Sequence, residues 1–327
     1  MWDSSASLYS RLGRRRDAIL TDFEDCLAGE ARLELPTLAV ALAIYAGFLT
    51  LTWFYADLPL YLSAPLVAVL LAWYGSLQHE TIHNHPTPSR RLNGLIASLP
   101  LSLWIPYGIY RDTHLRHHEH RGRHLTDPVL DPESFYLERG TVSHRNRVLQ
   151  AIYRANTTLA GRLLFGPFLS AYAFWAPEVI ELKSGDPTRI AIWARHVLGV
   201  AAVLVWVVGI CHIPAWVYLT LMVYPSVSLG QLRSFAEHRA HADPHQRTTV
   251  VEAHPLLALI FLNNNLHIAH HAYPRLPWYR LPDTWRQMRR SKAETGLIFA
   301  GGYAQIVRGY LFRPVISIEH PLQRSAE

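Results

Sequence analysis

Cysteine is nearly absent from this chain, with only Cys26 and Cys211 among 327 residues. The topology derived below puts the two on opposite sides of a membrane, which excludes a disulfide framework. Positive charge is missing from two long stretches: no lysine or arginine occurs between Arg32 and Arg90, or between Arg195 and Arg233. A soluble helical core of that length would carry a charged stripe on its outer face, and neither stretch has one. No cleavable signal is visible at the N-terminus, where Arg11, Arg14, Arg15 and Arg16 sit in a polar helical stretch without a small-residue cleavage site. The first hydrophobic span is therefore expected to stay as an anchor. Internal repeats and low-complexity tracts are also missing. The net charge of +6 would suggest nucleic acid in a soluble protein. Here it is explained by positive charge facing a membrane surface, and no nucleic-acid partner is expected.

Apolar residues make up 50% of the chain and fall in long blocks. Roughly 20 such residues cross a bilayer as a helix. Four segments qualify or come close: Pro36 to Tyr55, Leu58 to Gln78, His196 to Ile213 and Pro214 to Leu232. Short connections pair them as two antiparallel hairpins whose tips carry no positive charge. By the positive-inside rule the N-terminus, the region from Arg90 to Arg195 and the tail from Arg233 onward are cytoplasmic. The expected fold is an all-α integral membrane protein with four transmembrane helices in two hairpins and a cytoplasmic helical cap. Its expected parts are an N-terminal interfacial segment over 1–35, a membrane domain over 36–290 and a cytoplasmic tail over 291–327. Leu8, Leu12, Ile19, Phe23 and Leu27 recur at helical intervals in the first part. Pro100 and Pro106 make Leu92 to Tyr110 a re-entrant or surface-lying segment. Arg162, Gly166 and Pro167 are expected to break Thr157 to Trp175, which also reads as surface-lying.

Histidine is the residue that organises the chain. His79 and His83 form one box, His114, His117 and His118 a second, and His267, His270 and His271 a third. Spacings of three and four residues put side chains on one helix face, so each triplet is expected to aim at one point. His238 follows the fourth span by six residues, about 9 Å at helical rise, and joins the same cytoplasmic layer. Nine imidazoles are too many for one ion and suit two. Imidazole ligands alone leave zinc, copper, iron and nickel open.

These boxes, HxxxH and twice HxxHH, resemble the membrane-bound fatty acid desaturase and hydroxylase superfamily in order, spacing and topology, over roughly residues 36 to 290. The run from Asn263 to Pro274 is similar to bacterial members. The resemblance implies two irons held by the eight box histidines and His238, with O2 as co-substrate. It also implies a lipid or fatty acyl substrate, desaturation or alternatively hydroxylation of an acyl, alkane or carotenoid chain, and a bacterial inner-membrane location with termini and metal site cytoplasmic. A separate electron donor of ferredoxin, rubredoxin or cytochrome b5 type is expected, because no donor domain is fused to the chain. Ser234 departs from the asparagine that eukaryotic acyl-CoA desaturases place four residues before the extra histidine, and His85 adds an imidazole near the metals. Glu80, His85, Glu119, Asp127, Ser234, Glu237 and Asn264, with Asp112 and Asp131, are candidates to support the ligands. Trp104 and Tyr107 are candidates for the wall of the substrate path. Two further readings are a zinc protease using His79-Glu80-x-x-His83 with Glu80 as base, and a non-catalytic metal carrier. The protease leaves seven histidines unexplained, and a carrier would place ligands at mid-membrane depth.

Overall fold

The computed structural model describes residues 33–119, 123–291 and 296–322. Nearly all of the expected interfacial helix over 1–35 lies outside these residues, as do Cys26 and His120. The first hairpin is α1 (Leu35–Trp53) and α2 (Leu60–Ile82), joined by a single 3₁₀ turn. One face of α1, with Val40, Ala41, Ile44 and Phe48, meets Ala64, Val67, Leu71 and Tyr74 of α2 in the largest buried cluster. These positions recur at three- and four-residue intervals, so each helix presents one stripe to its partner.

The segment after α2 folds back on itself as α3 (Arg90–Ser98), an irregular stretch and α4 (Tyr107–His117). Leu101, in the irregular stretch, is buried in the same cluster as Val203, Val207 and Tyr218. Non-helical backbone among membrane helices survives only when its carbonyls find donors. Tyr45 OH donates to Ile96 O at 2.5 Å, Tyr74 OH to Ala97 O at 2.6 Å and Tyr218 OH to Leu101 O at 2.5 Å. Gln78 Nε2 adds a bond to Ala97 O at 3.0 Å. Three tyrosines and one amide thus hold the stretch that the prolines marked as re-entrant or surface-lying.

Next come α5 (Arg147–Asn156), α6 (Leu159–Lys183) and α7 (Pro187–Leu204, continued as a π-helical turn over Val205–Ile210). Then α8 runs over residues 215–234, with π-helical geometry from Tyr218 to Val223. Among the described residues four helices are long and apolar enough to cross a membrane: Leu35–Trp53, Leu60–Ile82, Leu159–Lys183 and Pro187–Ile210. The third corrects an expectation, since Arg162, Gly166 and Pro167 do not break it. Pro167 frees the carbonyl of Leu163, and Ser228 Oγ donates to that oxygen at 2.8 Å. Arg162 donates to Asn156 O at 3.1 Å and packs its guanidinium 4.0 Å from the Phe135 ring. Both therefore sit in an unbroken helix.

Direction of travel decides which helices run between the two faces. The residue before α1, Glu34, donates its N–H to Pro86 O at 3.0 Å, beside the first histidine box. The far end of α1 stacks Trp53 on Trp206 of α7 at 5.9 Å, and Trp206 Nε1 donates to Thr52. So α7 starts on the histidine side and ends opposite. Helix α6 begins on the histidine side too, where Leu159 packs with Phe235, and it ends in the short turn into α7. Both of its ends lie on one face, so it runs along that face despite its length. The return crossing is α8, as expected from the sequence.

Beyond α8 the chain forms the cap: β1 (Thr249–Val251), α9 (Pro255–Ile260), α10 (His267–Ala272), α11 (Leu281–Arg290), β2 (Leu297–Phe299) and α12 (Gly302–Tyr310). The two short strands pair in parallel. Residues 297–310, expected in a tail, pack here: Phe299, Tyr303 and Ile306 share a buried cluster with Leu159, Phe235 and Phe261.

Candidate metal centre

Each box reaches the centre from a different element. The last turn of α2 carries His79, with His83 as its cap, α4 carries His114 and His117 with His118 as its cap, and α10 carries His267, His270 and His271. His238 follows α8 in extended backbone bridged to Thr248. Burial of Leu266, Ile268, Ala269 and Tyr273 against α11 fixes the rotation of α10 and turns its histidines the other way.

The structure gathers nine imidazoles into two groups. His79, His83, His114, His118 and His270 form one, and His117, His238, His267 and His271 the other, with candidate ligand atoms in each within 4.8 Å of one another. In the first group His83, His118 and His114 bring their Nε2 atoms to 3.1 Å, and His118 and His270 to 3.2 Å. In the second, His117 and His267 approach His238 at 3.1 and 3.0 Å, and His271 approaches His267 at 3.1 Å. This corrects the expectation that each triplet aims at one point, because both HxxHH boxes are divided between the groups.

Hydrogen bonds on the far side of the rings settle their chemistry. His114 Nδ1 donates to Glu133 at 2.9 Å, His117 Nδ1 to Asp131 at 2.8 Å and His267 Nδ1 to Asn264 Oδ1 at 3.0 Å. A ring that donates from Nδ1 presents a lone pair at Nε2 when neutral. Nε2 atoms about 3 Å apart are held either by a shared proton or by a cation between them. A first-row ion about 2.1 Å from each nitrogen, in five- or six-fold coordination, leaves neighbouring ligands roughly 3 Å apart. The donor set fits two such ions.

Burial, reinforced by neighbouring imidazoles, pushes His83, His118, His267, His270 and His271 well below the usual imidazole range, and His238 to about 3. Burial acts the same way on His117, but Glu133 and the bond to Asp131 outweigh it and raise this ring. For Glu133, burial is outweighed by His114 and His117, which hold the carboxylate well below its ordinary range. The acids thus favour positive charge at this point, whether a proton or an ion. Asp131 is itself fixed, accepting the N–H groups of Thr126 at 2.8 Å and Glu133 at 3.0 Å.

The other expected residues divide. Asn264 and Glu237 stand at the site: Asn264 Nδ2 is 3.4 Å from His79 Nε2, and Glu237 lies 3.6 Å from His267 Nδ1 while pairing with Arg233 at 2.8 Å. Glu80 accepts the Trp278 N–H at 3.1 Å and reaches only 4.0 Å from His79 Nδ1. His85 is outside both groups and bonds Glu34 at 2.5 Å. Burial acts to lower this imidazole, but the bond to Glu34 together with the charges of Glu80 and Glu34 raises it. Four further positions face outward or make other contacts. Glu119 is exposed, because it follows the box on the outer side of its turn. Asp127 caps a turn through the N–H groups of Val129 and Leu130, and Ser234 bonds the Gln231 carbonyl. Asp112 pairs with Arg111 instead. Glu133 was missed; its only signal was its place two residues after Asp131. Tyr107 meets the Thr81 hydroxyl at 3.0 Å. Trp104 lines an apolar cavity of about 150 Å³ with Phe168, Leu219, Val223 and Tyr224.

A sequence profile described as fatty acid desaturase matches residues 56–301. A zeaxanthin 4-ketolase of Chlamydomonas reinhardtii is 25% identical over 292 residues, covering 80% of this chain and 56% of the relative. The chain therefore spans about half the length of the curated relative it matches.

Proposed function

Because the chain belongs to the fatty acid desaturase family, we propose that it is a membrane oxidoreductase using two irons and O2 to oxidise an unactivated C–H bond of a lipid or fatty acyl chain. Desaturation is the first reading. The observation that carries it is the pair of histidine groups whose inward Nε2 lone pairs are set by Nδ1–H bonds to Glu133, Asp131 and Asn264. His79, His83, His114, His118 and His270 would hold one iron, and His117, His238, His267 and His271 the other. Irons bound there supply the O2 activation needed to remove hydrogen from a methylene.

The chain's own residues orient the ligands and shape the approach. Asp131 and Glu133 keep their imidazoles in the ligating tautomer and offset the charge of two cations. The cavity at Trp104 is apolar and lies between α6, α8 and the re-entrant segment, which supports its use as part of the substrate path. Positive charge flanking the histidine side supports a cytoplasmic site, with a separate electron donor on that side. The reading of bacterial inner membrane rests on the run from Asn263.

A second reading, oxygen insertion into a hydroxylated or carotenoid substrate, is favoured by the ketolase relative. The protease reading is disfavoured, since Glu80 accepts the Trp278 N–H and reaches only 4.0 Å from His79 Nδ1. The test is iron-loaded protein in detergent with a chemical reductant and a panel of acyl lipids and carotenoids. Loss of two hydrogens by mass spectrometry supports desaturation, and gain of oxygen supports the second reading. Two bound irons without O2 consumption on any of these, or one zinc with peptide cleavage, refutes the proposal.

A further inference from the structure

We infer that α11 and the arginines around it form the docking face for an acidic, one-electron carrier protein; this rests on the oxidoreductase reading. Removing two hydrogens from a substrate supplies two electrons, whereas reduction of O2 to two waters consumes four electrons and four protons. Two electrons and two protons must come from outside, and insertion of one oxygen atom leaves the same deficit. The electrons have to cross from the protein surface to the histidine groups.

Helix α11 packs directly on the helix that carries the third box. It buries Leu281, Trp285 and Met288 against Ile268, Ala269 and Tyr273 on and beside α10. The opposite side of α10 carries His267, His270 and His271. Helices packed this way have axes roughly 8–10 Å apart, so two packed helices, α11 and α10, separate the outer face of α11 from the ligands. Trp285 is buried in the contact between the two helices. It is 5% exposed, its Nε1 donates to Glu252 at 3.2 Å, and Arg289 stands 5.9 Å over its ring at the rim.

The rim is basic. Arg275, Arg280, Arg286, Arg289 and Arg290 are all exposed. The neighbouring acids are engaged: Asp283 pairs with Arg286, and Glu252 with Arg289 at 2.6 Å. Among the described residues Arg275, Arg280 and Arg290 have no ion-pair partner, which leaves a surplus of positive charge over the route inward. An acidic carrier is steered to such a surface, and the attraction falls with salt. Anionic lipid would also meet arginines. The protein carrier is favoured because the surplus arginines flank an element packed directly on the ligand helix, a position on a path for electrons that a lipid headgroup does not need.

The probe is an acidic [2Fe–2S] ferredoxin kept reduced by its reductase, with the iron-loaded enzyme in nanodiscs. Arg280→Glu with Arg290→Glu changes two exposed side chains and should leave iron content and dithionite-driven turnover as in the wild type. The KM for ferredoxin should rise about tenfold or more and its salt dependence flatten. Direct ferredoxin binding, read by surface plasmon resonance, should weaken to the same degree. That second readout decides the face even if dithionite gives no turnover in the wild type, a result that would sink the oxidoreductase reading alone. Unchanged ferredoxin binding in the double variant overturns the docking face, and so does a variant that loses only its retention on anionic vesicles.

Discussion

Asp131→Asn keeps the size of the side chain and removes its charge. The carboxylate is 5% exposed and accepts three hydrogen bonds, from His117 Nδ1 at 2.8 Å and from the N–H groups of Thr126 and Glu133 at 2.8 and 3.0 Å. An amide oxygen at Oδ1 can still accept from His117 and Glu133. The amide nitrogen would then face the Thr126 N–H, donor against donor, and a buried unsatisfied donor costs about 1–3 kcal/mol. Loss of a partner behind a ligating histidine weakens metal binding by about 10- to 100-fold, or about 1.4–2.7 kcal/mol. Because Asp131 supports His117, the weakened iron should be the one in the four-histidine group. Glu133→Gln, behind His114, should weaken the five-histidine group by a similar factor. Equilibrium dialysis against graded chelator, with Mössbauer spectra of the iron retained, reads each site. Each variant should release one iron at lower chelator than the wild type, and the two should lose different signals. If both variants lost the same iron, or Asp131→Asn kept wild-type affinity at both sites, the assignment of supports to groups would be wrong.

Glu80→Gln keeps an acceptor for the Trp278 N–H, so turnover should fall without vanishing; peptide cleavage by the wild type that disappears in this variant would restore the protease. Trp104→Ala enlarges the apolar cavity and should shift the position oxidised or the chain length preferred, as read by product mass spectrometry; an active variant with unchanged products would remove Trp104 from the path. Metal-stripped protein should lose stability as pH falls from about 6.5, because His83, His118, His238, His267, His270 and His271 have folded pKa values below their unfolded ones. The unfolded chain then binds more protons in that window, outweighing the raised His85 and His117. Thermal melts at about pH 7.5 and about pH 5.5 should show the drop, and equal midpoints would contradict it.

The hairpin of α1 and α2, the returns through α7 and α8 and the re-entrant segment were legible because each depends on local signals: apolar length, missing charge and proline. The continuity of α6 was not, because it depends on Ser228, 61 residues beyond Pro167, supplying the donor that Leu163 O lacks. Glu133 was hidden for a related reason. Nothing in its own neighbourhood separates it from Glu119, which adjoins a ligand yet points outward. Adjacency in sequence turns a side chain away from its neighbour on a helix, so supports for a ligand come from elsewhere in the fold.

The division of the boxes could have been worked out from helix geometry alone. At 3.6 residues per turn each residue advances about 100°, so positions i and i+4 differ by about 40° while i+3 and i+4 diverge by about 100°. A first and a fifth residue can share one ion, but the fourth residue must point to another. His79 and His83 accordingly enter the same group. His114 and His118 join them, and His117 goes to the second group. On α10 the roles reverse: His267 and His271 enter the second group, and His270 crosses to the first. Each HxxHH box therefore contributes a pair to one group and a single ring to the other. Two such boxes facing each other tie the groups together, so removing either helix would damage both. This predicts that a one-residue insertion between His267 and His270, which rotates His270 and His271 together by about 100° relative to His267, lowers occupancy at both sites rather than at one.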